Sequence, residues 1–186
     1  MQTSMRVIGL AGWSGAGKTT LVVKLIPVLR QRGLTVSTLK HAHHGFEVDR
    51  PGKDSFEHRQ AGASEVLVAS RRRWALIREL REAAEPSLAE LLGRLSPVDL
   101  VIVEGFKAEN HPKIEVYRAA NGRPFLFPDI PNVRAVAADR PVPEAPMPVF
   151  DLNDVEAVAD QVVAASVPIE DVIQGLTGGS ASAEGF

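Results

Sequence analysis

Residues 9–21, GLAGWSGAGKTTL, contain the pattern G-x-x-x-x-G-K-[ST] from Gly12 to Thr19. Glycines at these positions allow the chain to curl, so that successive backbone N–H groups converge on phosphate oxygens. The Lys18 ammonium would reach the β- and γ-phosphates of a nucleotide, and the Thr19 hydroxyl would ligate Mg²⁺. The pattern therefore predicts a phosphate-binding loop (P-loop), with these candidate contacts: Gly12, Ser14, Gly15, Ala16, Gly17, Lys18 and Thr19.

The elements on either side of this loop decide whether it is more than a flexible turn. A P-loop follows a strand and opens a helix. Residues 6–11, RVIGLA, form a short apolar run that is typical of a strand buried on both faces. From Leu21 to Leu29, apolar residues recur every three or four positions, and Gly33 marks the end of this predicted helix. The flanking patterns favour nucleotide binding over a simple glycine-rich connection.

An acidic residue at the end of a neighbouring strand usually helps to hold the Mg²⁺ of such a site. Residues 98–105, VDLVIVEG, are the most strand-like segment of the chain, and Glu104 stands at their carboxyl end. Because open α/β sheets bind ligands at that edge, we predict that Glu104 faces the phosphates. Lys107 and Lys113 follow in the next loop, and we expect them to face a second ligand or a partner.

A second dense cluster of functional side chains spans residues 40–55, KHAHHGFEVDRPGKDS. Its histidines, His41, His43 and His44, invite a zinc interpretation, but no later cluster completes a tetrahedral ligand set. Hydrogen bonding to anionic groups is favoured instead, with Asp49 or Asp54 orienting Mg²⁺ or water. A solvated polar loop is the alternative for each residue.

Predicted strands and helices alternate along the chain, which favours a mostly parallel sheet with helices on both faces. The fold class is thus α/β, of the three-layer α/β/α P-loop NTPase type, and the closely spaced strands of the second half allow antiparallel edge strands. We expect one nucleotide-binding domain over residues 1–170. Residues 171–186, rich in small and polar side chains, are expected to be a disordered tail.

Composition narrows the classes of function. The chain has 186 residues, no cysteine and a formal net charge of -2. Thiolate metal sites, disulfides and cysteine nucleophiles are therefore excluded, and no global positive field attracts nucleic acid. No apolar run approaches the roughly 20 residues that span a bilayer. We expect a cytoplasmic protein without nucleic-acid or membrane partners.

Four segments taken in order closely resemble the molybdopterin-guanine dinucleotide biosynthesis protein B family: GWSGAGKTTL, KHAHHGFEVDRPGKDSFEHRQAGASEVLVAS, DLVIVEGFK and HPKIEVYR. The likeness extends from Met5 to about Ala165. It implies a homodimeric, GTP- and Mg²⁺-binding adapter with weak GTPase activity. The implied partner is the molybdenum cofactor guanylyltransferase that attaches GMP to molybdopterin, and direct contact with molybdopterin stays open.

The resemblance also assigns residues. It extends the phosphate site to Thr20 and places the family's acidic strand end on Glu104 and its histidine/aspartate loop on His41 to Asp54. On chemical grounds we expect Thr19, Glu104 and Asp54 to be the Mg²⁺ ligands, and Lys18 and Glu104 to do the electrostatic work of hydrolysis. For the guanine base it points to Asp139 in AVAADRP, although the Asn-Lys portion of the N-K-x-D sequence of P-loop GTPases is missing. Turnover should be slow, because no equivalent of the activating glutamine or arginine finger is evident.

Two other functions stay open on the residues alone. GWSGAGKTT is also similar to the phosphate loop of uridine-kinase-type enzymes, so a small-metabolite kinase using ATP or GTP is one alternative. The other is a nucleotide-binding module without turnover. The role of the His41, His43 and His44 loop, GTP as against ATP, and the need for hydrolysis are not decided by the sequence.

Overall fold

The computed structural model describes residues 4–42 and 45–178. The chain divides into two compact units, a larger one of residues 1–41 and 87–186 and a smaller one of residues 42–86. The expectation of one domain over residues 1–170 did not anticipate this division. None of the helices in the described ranges is long and apolar enough to cross a membrane.

The larger unit is built on a mostly parallel sheet. Its strands are β1 (Arg6–Ala11), β2 (Val36–Lys40), β5 (Leu100–Glu104), β6 (Lys113–Tyr117), β7 (Val133–Ala138), β8 (Val149–Asp151) and β9 (Val167–Pro168). The order is β2-β5-β1-β6-β7-β8, with every neighbouring pair parallel, and β9 pairs antiparallel with β1. The predicted α/β class with a mostly parallel sheet is therefore confirmed.

Helices cover both faces of this sheet. They are α1 (Lys18–Gln31), α3 (Leu88–Leu92), α4 (Val155–Ala165) and α5 (Ile169–Gly178). Alternate residues of β1 point to opposite faces: Ile8 joins the core under α1 and α4, whereas Val7 joins the core that includes α3 and α5. Each fully buried aliphatic side chain contributes about 1.5–3 kcal/mol relative to exposure. These two cores fix the carboxyl ends of the parallel strands at one edge.

The strand register brings the candidate residues together at that edge. In the β1–β5 pair, Leu10 is opposite Glu104, one residue before β1 ends. In the β1–β6 pair, Ala11 is opposite Glu115. The loop that follows β1 therefore leaves the sheet between the carboxyl ends of β5 and β6.

The smaller unit contains α2 (Asp54–Gln60) and an antiparallel hairpin of β3 (Glu65–Ala69) and β4 (Trp74–Arg78). Within this unit Arg59 donates to Asp49 at 2.6 Å and to Glu47 at 2.8 Å, and it also pairs with Glu79. Helix α2 begins with Asp54, and its N-cap is Lys53.

The prediction of a disordered tail over residues 171–186 is wrong for residues 171–178, which belong to α5. Ile169 and Val172 of this helix are buried, and Glu170 in its first turn accepts a hydrogen bond from the Ser4 hydroxyl at 2.7 Å. Acidic residues in a first turn also stabilise the helix N-terminus. Residues 179–186 lie outside the described part of the chain.

Candidate functional site

The loop from Gly12 to Gly17 has a backbone that only glycine tolerates at its two ends. Gly12 has φ 153°, and a Cβ there would lie 2.5 Å from the carbonyl oxygen of Val116. Gly17, the N-cap of α1, has φ 94°, and its Cβ would lie 2.9 Å from Nε of Arg118. Because α1 has no side-chain cap and no acidic residue in its first turn, its first N–H groups are suited to an anion.

Lys18 lies along this loop. Its Nζ donates to the carbonyl oxygens of Gly12 at 2.8 Å and Trp13 at 3.0 Å. Burial lowers the pKa of Lys18, the Glu104 carboxylate raises it in part, and the charges of Lys40 and Lys107 lower it further. An ammonium placed along a glycine-rich loop of this shape is suited to a di- or triphosphate.

Thr19 and Glu104 come from different elements and meet beside Lys18. The Thr19 hydroxyl lies 3.1 Å and 3.3 Å from the two carboxylate oxygens of Glu104. Nζ of Lys40 lies 3.5 Å from the same carboxylate, whose side chain is 14% exposed. A hydroxyl and a carboxylate this close together are oxygen ligands of the kind that Mg²⁺ prefers.

The histidine-rich loop is described only in part. His43 and His44 lie outside the described residues, and the ring of His41 stacks on Phe106 with centroids 4.5 Å apart. Among the residues that are described, no group of three histidine or acidic side chains is placed to hold a metal ion. Asp49 is held by Arg59, whose hydrogen bonds lower the pKa of that carboxyl.

Asp54 is an exposed residue of the smaller unit, at the start of α2. Its assignment as a Mg²⁺ ligand stays a prediction. Thr20, likewise predicted to contact phosphate, follows Thr19 in the first turn of α1 and is exposed.

Asp139 follows β7 directly and borders a cavity of about 540 Å³. One carboxylate oxygen of Asp139 accepts a hydrogen bond from the N–H of Ala119 at 2.9 Å, which orients the side chain. Arg140, Phe150 and Asp151 also line the cavity. Its volume lies within the range of small-molecule pockets.

Lys113 is buried, so the expectation that it faces a second ligand or partner is wrong. It pairs with Gly9 inside the sheet, and its side chain is fully buried. Its Nζ donates to the carbonyl oxygens of Glu109, of His111 at 2.8 Å and of Pro131 at 3.3 Å. Burial lowers the pKa of Lys113 to about 8.

Two residues that follow β6 support the loop and were not anticipated from the sequence. The Asn121 side chain donates to the carbonyl oxygen of Ser14 at 2.8 Å, and Arg118 lies against Gly17. The indole N–H of Trp13 donates to the carbonyl oxygen of Pro124 at 2.8 Å. No motif marks this segment. Its only sequence signal is its position after a strand next to β1.

Comparisons with known proteins agree with the sequence motifs. The family model for molybdopterin guanine dinucleotide synthesis protein B matches residues 7–139. The molybdopterin-guanine dinucleotide biosynthesis adapter protein of Escherichia coli (strain K12) is 46% identical over 165 residues, which cover 87% of this chain and 94% of that protein. The adapter protein of the same name in Haemophilus influenzae is 41% identical over 162 residues, which cover 86% of this chain and 89% of that protein.

A crystal structure of molybdopterin-guanine biosynthesis protein B has the same fold, with a TM-score of 0.68 at 30% sequence identity. The alignment covers 85% of this chain and 97% of that structure. The resemblance predicted from the four sequence segments is confirmed. The chain belongs to the molybdopterin guanine dinucleotide synthesis protein B family.

Proposed function

We propose that this chain is a GTP-binding adapter in molybdopterin guanine dinucleotide formation, assisting a guanylyltransferase that attaches GMP to molybdopterin. Family membership supports the pathway, since relatives with over 40% identity are named as biosynthesis adapters. Nucleotide binding is proposed because the side chains of Lys18, Thr19 and Glu104 lie together at a loop whose backbone is suited to phosphate.

The chemistry proposed for this site is mainly electrostatic. The loop N–H groups and the start of α1 would bind the phosphates, and Thr19 and Glu104 would hold Mg²⁺, which neutralises charge on the β- and γ-phosphates. Lys18 would exchange its hydrogen bonds to the Gly12 and Trp13 carbonyls for phosphate oxygens. No residue of the segment from Glu104 to Arg118 is a glutamine, so we expect only weak GTPase activity.

Base recognition would use Asp139 and its cavity. A carboxylate can accept hydrogen bonds from N1–H and the exocyclic amine of guanine, whereas adenine lacks this pair of donors. The N–H of Ala119 holds one oxygen of Asp139 at 2.9 Å, which sets the plane of the carboxylate at the cavity wall. This arrangement supports GTP over ATP.

We also propose that the protein forms a homodimer and that its smaller unit contributes to the contact. Leu67, Trp74 and Leu76 of the hairpin are 62%, 67% and 50% exposed. Exposed apolar strands are rare unless a partner covers them. Sedimentation should give a dimer for the wild type, and a monomer at all concentrations would contradict this part.

Calorimetric titration tests nucleotide binding. GTP with Mg²⁺ should bind to the wild type, and Lys18→Ala should weaken binding at least tenfold. Lys24→Ala, an exposed lysine two turns further along α1, is the matched control and should bind as the wild type does. The absence of heat with every purine triphosphate would refute the proposal.

The adapter role needs a separate measurement. Added to a guanylyltransferase of the family's pathway with GTP and molybdopterin, the wild type should increase the yield of the dinucleotide. Lys18→Ala should not. If the wild type and Lys18→Ala increase the yield equally, the adapter role does not depend on nucleotide binding.

A further inference from the structure

We propose that Lys107 binds the terminal phosphate of a nucleoside triphosphate and that Trp13, over which it lies, reports this binding. The inference rests on the proposed nucleotide binding. Lys107 would be the residue by which the site distinguishes a triphosphate from a diphosphate.

A tight turn after β5 presents Lys107. Gly105 has φ 101°, and a Cβ there would lie 2.7 Å from Cβ of His41. Phe106 has φ 48°, a conformation that costs a bulky residue on the order of 1 kcal/mol or more. Stacking on His41, with centroids 4.5 Å apart, and packing in the core beside α3 and α5 hold Phe106 there. The contacts of the half-buried Phe106 thus fix the direction of the chain at Lys107.

Lys107 reaches the phosphate-binding loop from this turn. Its Nζ lies 4.6 Å from the centroid of the Trp13 ring. The carbonyl of the same Trp13 accepts a hydrogen bond from Lys18 at 3.0 Å, so both ammonium groups border one residue of the loop. The charge of Lys107 contributes to the lowered pKa of Lys18, and an anion between the two ammonium groups would offset this repulsion.

The order of the strands indicates which phosphate Lys107 would meet. In the sequence β5-β1-β6-β7, Glu104 and Lys107 lie on the β5 side of the loop. Asp139 and its cavity follow β7, which lies two strands, or about 10 Å, from β1 on the side opposite to β5. A nucleotide with its base near Asp139 therefore runs toward β5, and its terminal phosphate lies nearest Lys107.

Arg123 provides a matched control. Its guanidinium also lies over the Trp13 ring, 5.5 Å from the centroid, but it comes from the segment after β6. Arg123→Ala removes a cation–π contact of the same kind but leaves the charge of Lys107 in place. A purely structural role of the Trp13 contacts would make the two variants alike.

The chain has two tryptophans, so the test uses the Trp74→Phe variant, in which Trp13 is the one that remains. GTP and GDP are titrated with Mg²⁺, and the fluorescence of Trp13 is followed. We expect Lys107→Ala to weaken GTP binding about tenfold with GDP binding unchanged, Lys107→Arg to restore most of the loss, and Arg123→Ala to keep the ratio of the two affinities.

The possible outcomes distinguish a failure of nucleotide binding from a failure of the role proposed for Lys107. If neither nucleotide binds to the parent chain, the proposed function fails. If both bind and Lys107→Ala keeps the parent ratio of GTP to GDP affinity, or Arg123→Ala lowers this ratio equally, the inference about Lys107 is overturned while nucleotide binding stands. Because Lys107 is exposed, its replacement leaves the core intact.

Discussion

Replacing His111 by glutamine should remove a loss of stability that the wild type suffers on mild acidification. The ring of His111 is fully buried, and a Cβ on Gly9 would lie only 2.5 Å from its Nε2. Neither ring nitrogen makes a well-aligned hydrogen bond to another described residue. Burial and then the charge of Lys113 lower the pKa of His111 to about 3, and the backbone of Glu109 opposes this.

The pKa of His111 fixes the sign and the size of the effect. Between pH 6.5, its pKa without burial, and about pH 3, the unfolded chain binds a proton on His111 that the folded chain does not. The free energy of unfolding therefore falls as pH falls through this window. Each pH unit costs about 1.36 kcal/mol, so the loss is about 2 kcal/mol at pH 5 and about 4 kcal/mol at pH 3, where the folded chain also begins to bind the proton.

Urea denaturation at pH 7.5, 6.0 and 5.0 measures this loss, with Trp13 fluorescence in a Trp74→Phe background reporting the larger unit. The decline from pH 7.5 to 5.0 should be about 2 kcal/mol smaller in His111→Gln. His58→Gln, which changes an exposed histidine of α2, should decline as the parent does. Equal declines in all three proteins would refute the reasoning. If His111→Gln does not fold, an NMR titration of the wild type should show His111 neutral at pH 5.

Three further predictions concern the base, the loop and the smaller unit. Asp139→Asn should weaken GTP relative to XTP, and competition binding with an unchanged preference would remove Asp139 from the base pocket. Gly12→Ala should abolish nucleotide binding in calorimetry, because its Cβ would meet the Val116 carbonyl at 2.5 Å; wild-type affinity would contradict this. Arg59→Met should destabilise the smaller unit, since it removes the cation that pairs with the carboxylates of Asp49, Glu47 and Glu79. Faster amide exchange in β3 and β4 would show this effect, and unchanged exchange would disprove it.

The sequence was sufficient for the parts of the site that obey local rules. The strand, loop and helix around Gly12–Thr19 and the strand end at Glu104 were predicted from glycine spacing and apolar runs, and the structure brings Thr19 within 3.1 Å of Glu104. Asp99, directly before the other end of that strand, accepts hydrogen bonds from the backbone and hydroxyl of Thr35 at 2.7 and 2.6 Å.

Other features depend on tertiary contacts that no local pattern contains. Lys113 and Glu115 alternate with apolar residues in β6, which is typical of a solvent-facing side. Both are buried, because carbonyl oxygens surround the Lys113 ammonium and the N–H groups of Leu126 and Phe127 donate to Glu115 at 2.7 and 2.9 Å. Burial raises the pKa of Glu115 despite these bonds.

The smaller unit and α5 escaped prediction for different reasons. The pairing of β3 and β4 in a sheet of their own depends on which strand edges meet, and no local pattern determines that. In α5, the apolar spacing from Ile169 through Val172 to Leu176 is helical, yet the small and polar residues that end the chain obscured it.

The most direct test of the site is a crystal structure with GTP and Mn²⁺ in place of Mg²⁺. We predict an anomalous peak at about 2.1 Å from the Thr19 hydroxyl and beside the Glu104 carboxylate, with the phosphates on the N–H groups of the loop from Gly12 to Gly17. A metal peak away from Thr19 and Glu104, or nucleotide density away from this loop, would contradict it.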